Sequence, residues 1–165
     1  MKQLDYDKVI NDIDNLTDFS YELEKKLKSM IGYLEILIHS PSIDEEENLP
    51  KSEQLETENQ KKWEYFTKYS IEIFSELRES LISNSSTLFQ MIKGINSVYA
   101  LFDEVTEYYE EIKLNHLKYL NPKFCVLIEK QGYEISESIT DFKPCYIRLN
   151  EYSQMMKNGK INRLF

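Results

Sequence analysis

One stretch limits what this chain can become more than any other. Between residues 88 and 120, Leu88, Met91, Ile95, Val98, Phe102, Val105, Tyr109, Ile112 and His116 follow one another in alternating steps of three and four. Only a helix puts such positions on one side. At about 1.5 Å per residue, this helix is on the order of 50 Å long. Its first half also carries Phe89, Ile92, Tyr99 and Leu101 beside the seam, a wide apolar face suited to several neighbours. Gly94 sits next to the seam, where a missing side chain permits close helix approach.

The rest of the chain supplies further helices. Residues 5–38 form a first helix on Ile13, Leu16, Leu23, Leu27, Met30, Leu34 and Leu37 or Ile38. Ser20 takes one position of that stripe, and Asp12, Asp18, Glu22, Lys25 and Glu35 are expected on the solvated face. Pro41 and Pro50 punctuate an acidic loop at 39–52. Residues 53–82 form a second helix, polar at first and packed from Trp63 through Phe66, Ile73, Leu77 and Leu81. A short polar turn follows, and Thr87 with Gln90 has the spacing of a capping box. Such a short link forces antiparallel neighbours. Asn121-Pro122 ends the long helix.

A fourth helix starts near residue 123 on Phe124, Ile128, Ile135, Ile139 and Phe142. It is expected to break at Pro144 and resume on Tyr146, Leu149, Tyr152 and Met156. Residues 158–165 read as a loose tail. Four glycines and four prolines are too few for a turn-rich β protein. The expected fold is all-α: one domain over 1–165, an up-down antiparallel bundle of three long helices plus a fourth broken at Pro144.

Charge is unevenly placed. Residues 1–82 hold 19 acids and 10 bases, whereas 83–165 hold 10 of each. Acidity of this kind repels nucleic acid and anionic membrane and favours a partner with a basic surface. Nine net charges over about 50 Å also fall well short of duplex DNA, with one per about 1.7 Å. Nucleic-acid mimicry is therefore at most local, at the acidic loop and the start of the second helix. Cys125 and Cys145 make no disulfide framework, and reduced thiols are the expectation. No apolar run approaches a membrane span, the first residues lack the apolar core of a signal peptide, and a cytoplasmic setting is expected.

Catalytic motifs are scarce. His39 and His116 have no Glu three residues before them, there is no Cys-x-x-Cys pair, and the glycines are isolated. One constellation bears on chemistry. Glu107 and Glu110 share a helix face, as do Glu134 and Glu137 on the next helix. Four carboxylates at matching levels can hold magnesium and a nucleotide's phosphates. The pattern resembles the all-α nucleoside-triphosphate pyrophosphatases, whose second pair ends in Asp where this chain has Glu137. The resemblance implies a magnesium-dependent hydrolase as the alternative function.

The leading expectation is a small acidic protein-binding module, inhibitor or immunity-type, with no catalytic residues and no cofactor. Its candidate partner-binding residues are Asp44, Glu45, Glu46 and Glu47 of the acidic loop, with Trp63 and Tyr108 as aromatic contacts. Tyr108 and Tyr109 are adjacent, so one alone is expected to face the core.

Overall fold

The computed structural model describes residues 5–39, 49–82 and 87–157, with the backbone alone described at 49–58, 119 and 157. Four helices follow in order: α1 (Tyr6–His39), α2 (Leu49–Ile82), α3 (Leu88–His116) and α4 (Pro122–Lys157). A 3-10 turn at Leu117–Tyr119 leads from α3 to α4. Each helix packs beside its neighbour in sequence, and α4 returns alongside α1. This is the expected all-α up-down bundle, with no strand among the described residues.

The long seam on α3 is the structural axis the sequence indicates. From Leu88 to Ile112 every one of its positions is buried, and His116 at its end is half-buried. Thr87 accepts a hydrogen bond from the Gln90 N–H, and the Thr87 N–H donates to the Gln90 side chain, completing the capping box. Gly94 lets α2 approach: a Cβ there would lie 2.9 Å from Leu77 Cδ1. The α1 stripe is buried in full, and Ser20 within it donates to the Leu16 carbonyl at 2.7 Å.

Two boundaries differ from expectation. Helix α2 begins at Leu49, inside the expected loop. Pro50 then lies in the first turn, where a missing N–H costs no intrahelical bond. Helix α4 runs unbroken through Pro144. That proline is exposed, as is Thr140, whose carbonyl loses its donor, so water can replace the lost bond. Phe142, Cys145 and Leu149 stay buried on either side, and their packing holds the axis.

Asp12 is not on the solvated face of α1. It lies inside the α1/α4 seam, with its side chain 2% exposed. Arg148 donates to both its oxygens at 2.9 Å, and the Tyr152 hydroxyl donates at 3.2 Å. The Cys145 thiol donates to its carbonyl at 3.5 Å. Hydrogen bonds from Arg148 hold the Asp12 carboxyl below its usual range against the opposing effect of burial. Burial and the nearby carboxylate raise the Cys145 thiol to about 11, so it is a poor nucleophile. Both cysteines are buried and free.

Arg148→Met would leave the Asp12 carboxylate buried without its partner, at a cost of about 3 kcal/mol near neutrality. Asp12 stabilises the native protein fully above the unfolded carboxylate pKa of about 3.9 and progressively less as pH falls through its lowered folded value. Denaturant unfolding should therefore show the wild-type advantage widest near neutrality and shrinking in acid; a gap independent of pH contradicts the assignment. Pro144→Ala restores one helical bond at an exposed site and should raise stability by about 1 kcal/mol or more. An unchanged or lower unfolding midpoint would mean that the proline is accommodated at no cost.

Candidate functional site: the face between α3 and α4

Helix α4 packs far more extensively against α1 than against α3. Phe142 stacks on Phe19 of α1 with centroids 4.0 Å apart, and Lys26 of α1 donates to Ser138 at 3.0 Å. The α3/α4 contact is looser and holds a cavity of about 210 Å3. Met30, Phe102 and Ile128 form apolar walls. Thr106, Tyr109, Glu110, Glu129 and Tyr133 add polar groups, and Gly132 leaves space on the α4 side.

Glu129 organises this face. One carboxylate oxygen accepts from the Tyr109 hydroxyl at 2.8 Å, and the other accepts from Lys113 Nζ at 2.9 Å. The bond from Lys113, then that from Tyr109, holds the Glu129 carboxyl below its usual range. Burial and the bond to Glu129 push the Tyr109 phenol well above its usual value. The Thr106 hydroxyl is buried and has no hydrogen-bond partner among the described residues.

Two edge rows run from the cavity towards the α3–α4 turn. Along α3, Glu110 and Leu114 are spaced by four, the spacing of helix neighbours, and Leu117 follows in the 3-10 turn. Along α4, Tyr133 and Val126 are seven apart. Leu114 is 84% exposed, Tyr133 70%, Val126 64% and Leu117 60%. The pairing of Lys113 with Glu129 sets the level, one residue from Leu114 and one turn from Val126. Asp103, Glu104, Glu107, Glu110 and Glu111 are all exposed on α3, with no base between Lys93 and Lys113. Exposed Lys123 and Lys130 stand on the α4 side.

The four carboxylates of the hydrolase alternative do not assemble. Glu107, Glu110 and Glu137 are exposed. Glu134 is half-buried and does not line the α3/α4 cavity. Among the described residues no three His, Cys, Asp or Glu side chains are placed to hold a metal ion. Glu129, absent from that set, is the α4 carboxylate that reaches α3. A Lys at the matching level was its only signal in sequence.

The other candidates are dispersed. Asp44, Glu45, Glu46 and Glu47 lie outside the described residues. Trp63 is half-buried against the core and meets the His39 ring edge-on at 5.4 Å; its indole N–H is buried and has no partner among the described residues. Tyr108 is buried and donates to the Asn59 side chain on α2. It is not a surface residue, because α3 lies between two helices: Tyr108 faces α2 while Tyr109 faces α4. Both adjacent tyrosines are therefore inside, and Asn59 lies within the expected polar start of α2.

Comparison with protein-family models, curated proteins and solved structures finds no match. No described helix is long and apolar enough to cross a membrane.

If Lys113 is the main support of the Glu129 carboxylate, Lys113→Gln should raise the Glu129 pKa more than Tyr109→Phe does. Carboxyl-carbon NMR titration reads this directly. An equal or reversed order contradicts the network.

Proposed function

We propose that this chain acts by binding and not by catalysis, seating an amphipathic, basic-sided helical segment of another protein along the α3/α4 face. The observation that carries the reading is the pair of exposed apolar rows, Leu114–Leu117 and Val126–Tyr133, beside a cavity and against the acidic edge of α3. A helix laid on such a face buries its apolar stripe and sets its cations over Asp103, Glu107, Glu110 and Glu111. Lys123 and Lys130 on the other edge favour one orientation, with the partner's basic side towards α3. Blocking a basic surface is how a small acidic inhibitor or immunity-type protein works, and this chain's size and charge suit that role.

The test uses two model helices with identical leucine stripes, one faced with lysine and one with glutamate. Fluorescence anisotropy should show the lysine helix binding at least tenfold tighter at low ionic strength, with that preference falling at high salt. Glu107→Lys with Glu110→Lys should remove the preference, and Leu114→Ser with Val126→Ser should weaken both helices. Equal binding of both helices, or no effect of either pair of substitutions, would overturn the reading.

A further inference from the structure

The cavity is too small for the ligands most pockets hold. At about 210 Å3 it falls below the roughly 300–1,000 Å3 of sites for drug-sized molecules. It suits one side chain. Its walls select the kind of side chain: Met30, Phe102 and Ile128 offer an apolar sleeve, whereas Glu110 and Glu129 are the acidic residues of its lining. An apolar stem with a cationic head matches both. Glu129 already serves Tyr109 and Lys113, yet each carboxylate oxygen can accept a second bond.

We infer that this cavity is the anchor pocket for a single arginine of the docked partner. The inference rests on the docking reading above and names the residue that gives it specificity. Arginine fits better than lysine. Its planar head carries five donors in a fixed fork, enough to meet Glu110 and Glu129 together, and it stacks on an aromatic ring such as Tyr133, which lines the pocket while 70% exposed. Gly132 keeps the pocket open. A Cβ there would come no nearer than 3.5 Å to Met30 Cε, so a larger residue enters the space without collision at its first atom.

The experiment is an NMR titration of the whole protein with N-acetyl-arginine amide, with N-acetyl-norleucine amide as the uncharged counterpart. The arginine amide should shift the Thr106 and Gly132 signals saturably, with a Kd on the order of a few mM. The norleucine amide should bind at least fivefold more weakly. Glu110→Gln, at an exposed position, should narrow that difference. Gly132→Leu replaces a poor helix former with a good one and fills the cavity, so it should keep or raise the melting temperature while abolishing the shifts. Absence of saturable shifts at Thr106 and Gly132, equal binding of the two amides, or unchanged binding in Gly132→Leu would each overturn the anchor pocket. If the lysine-faced helix still binds through Leu114 and Val126 in that event, the docking face stands without the pocket. If that helix fails as well, both fall.

Discussion

The attachment of α4 to α1 is what the remainder depends on. Phe142 stacks on Phe19, Lys26 reaches Ser138, and Arg148 holds the buried Asp12 with two hydrogen bonds. Aromatic packing supplies area, and the charged pair fixes register, since any axial slip would leave a carboxylate in the core without its cation. With α4 drawn to α1, its contact with α3 is the lesser one. A bundle packed equally on all sides would have no cavity at Thr106 and Gly132, and less reason to leave Leu114 and Val126 uncovered.

Helix α3 occupies the complementary position. Close approach at Gly94 joins it to α2, and Tyr108 reaches Asn59 on the same side. On the opposite side Tyr109 and Lys113 converge on Glu129. Polar contacts therefore hold the α3/α4 face where apolar packing is thin. Such contacts contribute modestly to stability, about 1 kcal/mol each, but they set geometry. The result is a face with a defined shape, apolar along its edges and acidic on one flank, which suits recognition more than core formation.

Periodicity made the helices legible, because burial on one face is written every three or four residues. It revealed the α3 seam, the α1 stripe and the capping box at Thr87. It did not reveal Asp12, which is one residue from the stripe and looks like a solvated acid until Arg148, 136 positions away, is placed beside it. Pro144 misled for a related reason: the local rule against proline is outweighed by Phe142, Cys145 and Leu149, whose burial is a property of the assembled bundle. At the candidate site, spacing selected Glu107, Glu110, Glu134 and Glu137 by level along the helices. Rotation about the axis decides contact, and it brings Glu129 to α3. Adjacency on a helix leaves one of Tyr108 and Tyr109 outside only when the helix has a single buried face, and α3 has two.

The central claim is that binding takes place at the α3/α4 face and not on the acidic surface at large. Methyl NMR of the protein titrated with the lysine-faced model helix tests this most directly. The account predicts shifts concentrated at Leu114, Leu117, Val126 and Ile128, with the methyl groups of α2 little changed. Shifts spread over the acidic surfaces of α1 and α2, with Leu114 and Val126 silent, would contradict it.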